Sequence, residues 1–183
     1  MNNKPSQNHN KVTDSKLAAD TMYPEDKSEC YQLIHAQLKA LLEDETCVIP
    51  NLGNASALLK LALSDTNWAG FYLLHKDELL LGPFQGKPAC IHIPVGKGVC
   101  GTAVSQGKTQ VVPNVHAFPG HIACDSESNS EIVIPILVDN NVVGVLDIDS
   151  PVFNRFDEAD KEGLEEVVRI LAAGCDWKEI QTK

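Results

Sequence analysis

The sequence predicts an α+β fold, with helices at both ends of the chain around a meander of antiparallel strands. Three observations carry this. Apolar residues recur at helical spacing near the N-terminus and again at the C-terminus. Between them the period changes to short β-branched and aromatic runs separated by turn chemistry. The chain has 183 residues and is 43% hydrophobic, which suits one domain with a core of ordinary size.

The elements follow in order. Residues 25–44 ("EDKSECYQLIHAQLKALLED") place Leu33, Ile34, Leu38, Leu41 and Leu42 on one helical face. "NASALLKLALSD" predicts a second helix, capped by Asn54 or Ser56. "NWAGFYLLHKDELLLGPFQG" reads as two strands around a polar "HKDE" turn. "ACIHIPV" is a third short strand, which includes Cys90. "GKGVCGTAVSQGK" opens on glycines and continues as a short helix, and "TQVVP" is a fourth strand. In "EIVIPILVDNNVVGVLDIDSP", Asp139-Asn140-Asn141 is turn chemistry between two β-branched runs, a hairpin. "FDEADKEGLEEVVRILAAGCDWKEI" is a helix entered through Asp157 or a nearby cap. No internal repeat is present.

Composition excludes several function classes. With 15 Lys and Arg against 25 Asp and Glu, the net charge is −10. A nucleic-acid or anionic-membrane surface needs clustered cations, so neither partner is expected. No apolar run is long enough to span a bilayer. The start, "MNNKPSQNHNKVTDSK", lacks the apolar core of a signal peptide, so a cytoplasmic protein is expected. Residues 1–20 are too polar to fold alone and are expected to form a mobile tail before a single domain over 21–183. Six cysteines in a reducing compartment are not a structural disulfide framework. None sits in a CxxC pair, which argues against a thioredoxin-type motif or a zinc ribbon.

The chemistry gathers around one odd segment. "HAFPGHIACDSESNSE", residues 116–131, is built of loop-formers yet carries Cys124, two histidines and three acids. Long irregular segments in compact domains are usually functional or disordered. In "VLDIDS", Asp147 and Asp149 share one strand face, while Leu146 and Ile148 take the other. A solvated sheet face is the bland explanation. Against it, Glu131 opens the partner strand of the same hairpin, so three carboxylates can meet where the Cys124 loop lands. In "NWAGFY", Trp68 and Tyr72 share a face, with Gly70 leaving a gap between them; a core pair and an aromatic wall for a small apolar group are equally good readings. Cys100 follows "GKGV" at a predicted helix start, a position that tends to lower a thiol pKa. Cys30 and Cys175, on helices, are expected to be buried and inert, and Cys47 stays unassigned. His116, His121 and Cys124, with Asp125 as a fourth ligand, form a loose zinc-like set, but the spacing lacks the usual pairing and no metal is expected.

These residues also carry a family resemblance. "NWAGFYLL", "LGPFQGKPAC", "IPVGKGVCGTAV", "VHAFPGHIACDSESNSEIVIP" and "GVLDIDSPVFNRF" occur in this order and resemble the signature blocks of the free methionine-(R)-sulfoxide reductases, which are built on a GAF domain. The resemblance covers roughly residues 25–180, and the tail before it has no counterpart. It implies a GAF-like antiparallel sheet with helices packed on one face and a ligand pocket under loops on the other. It implies that Cys124 is the catalytic nucleophile, that Cys90 is its resolving partner, and that Cys100 is a third family cysteine. It implies that Trp68, Tyr72, Glu131, Asp147 and Asp149 line the substrate pocket. Thioredoxin as electron donor, a homodimer and the absence of a cofactor are implied in the same way.

The required chemistry agrees with these residues. Reducing a sulfoxide needs an attacking thiolate, an acid for the departing oxygen, and a second thiol to condense with the resulting sulfenic acid. A free amino acid adds an α-ammonium, which three acids suit. The rival is a GAF-type sensory module that binds a small ligand without chemistry. The set of three cysteines and three acids discriminates against it, because a sensor needs no such convergence.

Overall fold

The computed structural model describes residues 23–122 and 125–180. The expected tail over residues 1–20, and Cys124 itself, lie outside the described residues.

Helix α1 (Lys27–Leu42) starts at Asp26, whose carboxylate accepts the Glu29 N–H at 3.0 Å. That is a standard N-cap for donors that have no partner inside the helix. Tyr31, Ile34, Leu38 and Leu42 form its buried stripe. Helix α2 (Val48–Ala62) is capped at Cys47, seven residues before the expected Asn54 cap. The reason is Pro50. In a first turn its missing N–H costs nothing, because that donor has no intrahelical acceptor. Ser56 is instead a buried residue inside the helix, its hydroxyl donating to the Gly53 carbonyl at 2.9 Å.

Six strands form one antiparallel sheet: β1 (Trp68–His75), β2 (Glu78–Gln85), β3 (His92–Pro94), β4 (Gln110–Val112), β5 (Ser130–Val138) and β6 (Asn141–Ser150). Their order is β3-β2-β1-β6-β5-β4. The β5–β6 turn is the two residues Asp139 and Asn140, with φ of 50° and 63°. Two successive positive φ values match the strand twist, so Asn141 belongs to β6 rather than to the turn. Strand β3 is shorter than expected and leaves Cys90 in the β2–β3 connection. Gly86, at φ 143°, and Pro88, which has no N–H, take the chain out of the ladder there.

Helices α1, α2 and α4 (Glu158–Gly174) cover one face, burying Phe71, Ile132, Leu146 and Ile148 against Ile34, Leu52, Leu164 and Leu171. Asp157 caps α4 and forms a capping box with Asp160, as the sequence predicted for this entry point. Asp160 is 1% exposed and is satisfied by Tyr31 Oη at 2.9 Å, Arg155 and Lys27. The short helix α3 (Gly98–Gln106) lies on the other face, where Val99, Cys100 and Ala103 pack with Trp68, Tyr72, Leu79, Val133 and Val145. Among the described residues, no helix is long and apolar enough to cross a membrane.

Candidate active site

Strand register sets the floor of the site. Asp149 pairs with Glu131 across β5–β6 and with Trp68 across β1–β6, while Asp147 pairs with Val133 and Gly70. Directly opposed residues of antiparallel strands point to the same side, so the pleat that sends Leu146 and Ile148 into the helix-covered core sends all three carboxylates to the other face. Together with Trp68, Tyr72, Cys100 and His121 they line one pocket. The hairpin thus brings Glu131 to the Asp147–Asp149 end. The solvated-face reading fails, since Glu131 and Asp147 are each 6% exposed.

Aromatic rings make one wall. Trp68 and Tyr72 stack with centroids 5.9 Å apart, and Phe84 from β2 stacks on Trp68 at 5.2 Å. Gly70 is therefore not an open gap. A Cβ there would lie 2.3 Å from Phe84 Cβ and 2.6 Å from the Trp68 ring, so the glycine is what admits this stack. Both wall residues also hold the Cys90 connection: Trp68 Nε1 donates to the Lys87 carbonyl at 3.1 Å, and Tyr72 Oη to the Cys90 carbonyl at 3.0 Å.

Burial governs the acids. Desolvation pushes Glu131 and Asp149 well above the usual carboxylate range, and Asp147 adds to both shifts. Desolvation also raises Asp147, to about 7, while hydrogen bonds from Cys100 and Glu131 favour its charged form and limit the rise. Asp147 Oδ1 is buried without a hydrogen-bond partner among the described residues. Buried polar atoms are normally satisfied, so an acceptor stands ready at the pocket floor.

Cys100 reverses its expectation. It does sit in the first turn of α3, but its thiol is raised well above the ordinary value, not lowered. Burial and the neighbouring Asp147 and Glu131 charges outweigh a helix terminus, and the Cys100 sulfur lies 4.0 Å from Glu131 Oε1. Donor atoms of Cys100, Glu131 and Asp147 lie within 4.8 Å of one another, a separation that a cation could span. The zinc-like set from the loop is not assembled by its histidines: His116 pairs with Asn129 Oδ1 at 2.9 Å, and His121 faces Glu131 at 3.7 Å.

The residues on both sides of Cys124 close over this floor. His121, Ile122, Asp125 and Ser128 line the same pocket as the acids. Asn67 Nδ2 ties the far side down, donating to Asp125 Oδ2 at 3.2 Å and to Ser128 Oγ at 3.0 Å. Lys87, from the Cys90 connection, bridges to Asp125 at 3.3 Å and Glu127 at 2.6 Å. Cys90 is disulfide-bonded, whereas Cys30, Cys100 and Cys175 are free thiols. Cys30 is buried on α1 as expected, whereas Cys175 is only half-buried and caps the end of α4 rather than lying within it. Sequence reasoning missed Phe84, Asn67 and Lys87. Lys87 had one available signal, as the only cation in the "GPFQGKPAC" block.

Comparison with known proteins places this architecture. The GAF domain family model matches residues 26–174. The free methionine-R-sulfoxide reductase of Escherichia coli is 55% identical over 155 residues, covering 83% of this chain and 94% of that protein. The Saccharomyces cerevisiae protein of the same name is 45% identical over 160 residues, covering 83% and 89%. The structure of free methionine-R-sulfoxide reductase from Neisseria meningitidis, in complex with its substrate, superposes with a TM-score of 0.82 at 43% identity, covering 87% of this chain and 96% of that one.

Proposed function

The chain belongs to the free methionine-R-sulfoxide reductase family of GAF-domain proteins, and from that premise we propose that it reduces free L-methionine-(R)-sulfoxide in the cytoplasm through a cysteine sulfenic acid and an intramolecular disulfide. Cys124 is the nucleophile in this reading. Its thiolate attacks the sulfoxide sulfur, and the oxygen passes to the cysteine as two electrons pass to the substrate, leaving methionine and Cys124 sulfenic acid. The Cys90 thiol then displaces the hydroxyl as water, forming a Cys90–Cys124 disulfide. A dithiol reductant, thioredoxin, restores both thiols by exchange. The sum is sulfoxide plus dithiol giving sulfide, disulfide and water.

The observation that carries the reading is the buried acid floor beneath an aromatic wall, where Asp147 Oδ1 has no hydrogen-bond partner among the described residues. An α-ammonium supplies the missing hydrogen bond, and the wall takes the methyl and methylene groups. Glu131 and Asp149, pushed upward by burial, keep protons for the departing oxygen. The disulfide at Cys90, in the connection that Trp68 and Tyr72 hold beside the pocket, supports Cys90 as the resolving thiol. Cys100 sits in the floor as a protonated neighbour of the acids and stands in reserve as an alternative resolving thiol. The family resemblance extends to a homodimer, which light scattering reads directly.

Thioredoxin-coupled turnover with separated diastereomers tests the reading. The R form of the free amino acid should turn over, while the S form and the N-acetylated, amidated R form should not. Absence of turnover with the free R form, or equal rates for R and S, would overturn it.

A further inference from the structure

The proposed substrate is an amino acid and carries two charges, but the acid floor answers only one of them. Across the described residues, Lys87 is the sole lysine or arginine that lines the pocket. His121 is the other nitrogen base there, and burial lowers its pKa, so it remains neutral. Lys87 is lifted by its hydrogen bond to Glu127 and remains a cation.

The place of this cation is built in advance. Gly86 precedes it at φ 143°, where a Cβ would lie 2.5 Å from the Trp68 ring, so only glycine lets the chain pass so close beneath the wall. Trp68 Nε1 then anchors the Lys87 carbonyl at 3.1 Å. The ammonium reaches Glu127 Oε2 at 2.6 Å and Asp125 at 3.3 Å. Asp125 is itself held by Asn67 Nδ2 and by the Glu127 N–H at 3.0 Å. An ammonium has three donors. Two are spent on the loop, which leaves one. Asp125 also lies within electrostatic reach of Asp149, so the cation stands one carboxylate away from the acid floor. The charges run from acids at the floor to a single ammonium at the rim.

We infer that Lys87 binds the α-carboxylate of the substrate, so that the pocket reads both charged ends of a free amino acid. This rests on the reductase reading above. It assigns a specificity role to a residue outside the cysteines, acids and aromatics. The consequence is chemical: an amino amide keeps the α-ammonium yet loses the carboxylate, and should be discriminated against at Lys87 alone.

The experiment uses the full chain, Lys87→Met and Lys87→Arg, with free methionine-(R)-sulfoxide and its primary amide. Losing one charge-assisted hydrogen bond corresponds to about 10- to 100-fold in kcat/KM. Lys87→Met, which also gives up the Asp125 and Glu127 bridges, should lose activity on both substrates, and its loss on the free acid, mainly through KM, should exceed its loss on the amide by that factor. Lys87→Arg should recover most of the loss. Competitive inhibition by L-methionine and L-methioninamide reads the same contrast without turnover. Equal losses on acid and amide would overturn the inference and leave Lys87 as a loop tether only, and no loss on either would overturn it as well. Wild-type turnover of the free acid separates this from the reductase reading: if the wild type is inactive, that reading fails first.

Discussion

Asp147→Asn should stabilise the protein, and increasingly so as pH rises. Asp147 is buried at 6% exposure, and its folded pKa is raised from 3.8 to about 7, with burial the first cause. A carboxyl raised on folding binds more protons in the native state than in the unfolded one. Its contribution is fully present below the unfolded pKa and is lost as pH rises through the folded pKa. The loss therefore accumulates from about pH 4 to about pH 7 and then levels off. Three units correspond to about 4 kcal/mol in all, of which about 3 kcal/mol falls between pH 5 and pH 8. Asparagine has nearly the same shape and no charge, so the variant escapes this loss. Urea unfolding of both proteins, kept reduced, at pH 5, 6, 7 and 8 measures it. The stability difference in favour of the variant should widen over that range by up to about 3 kcal/mol, less what Glu131 and Asp149 return as they ionise more readily without the Asp147 charge, while the variant loses activity because Asp147 Oδ1 no longer offers a charged acceptor. A difference that stays flat to within about 0.5 kcal/mol would refute the argument that Asp147 is a desolvated acid.

Further outcomes follow from the proposed mechanism and from the aromatic wall. Cys124→Ser should abolish even single-turnover reduction, because an alcohol does not replace the attacking thiolate; Cys90→Ser should yield about one methionine per site and then stall unless Cys100 or an external thiol rescues it, and peptide mapping of substrate-treated wild type should join Cys124 to Cys90, with Cys100 the next choice. Gly70→Ala places a Cβ against Phe84 and Trp68, which should cost about 1–3 kcal/mol in chemical denaturation and raise KM as the aromatic wall is displaced; wild-type stability and KM together would show that the stack is not tight.

Much of the fold was legible because it is written locally. The helical periods at both ends, the Asp157 cap and the β5–β6 hairpin all depend on residues within one or two turns of one another. The pleat is equally local, so Leu146 and Ile148 could be sent to the helices and Asp147 and Asp149 to the other face before any tertiary contact was known. Where local signals compete, they misled. Asn54 and Ser56 read as helix caps yet lie inside α2, which starts earlier because Pro50 is tolerated in its first turn, and Cys90 reads as strand yet lies beyond Gly86 and Pro88, which take the chain out of the ladder.

By itself, then, the sequence determined the α+β class, the sheet faces and a short set of thiols, acids and aromatics that share a family pattern. Tertiary structure alone decided how those groups behave. Cys100 has the position of an activated thiol, but Asp147 and Glu131 arrive beside it from strands some thirty to fifty residues on and reverse the shift. Phe84 joins the wall through β1–β2 pairing, and Lys87 is held at the rim by Trp68, which binds its carbonyl, and by Asp125 and Glu127. Propensity and periodicity act over a few residues of chain, whereas desolvation and Coulomb energy depend on distance through space, which only the packed fold sets.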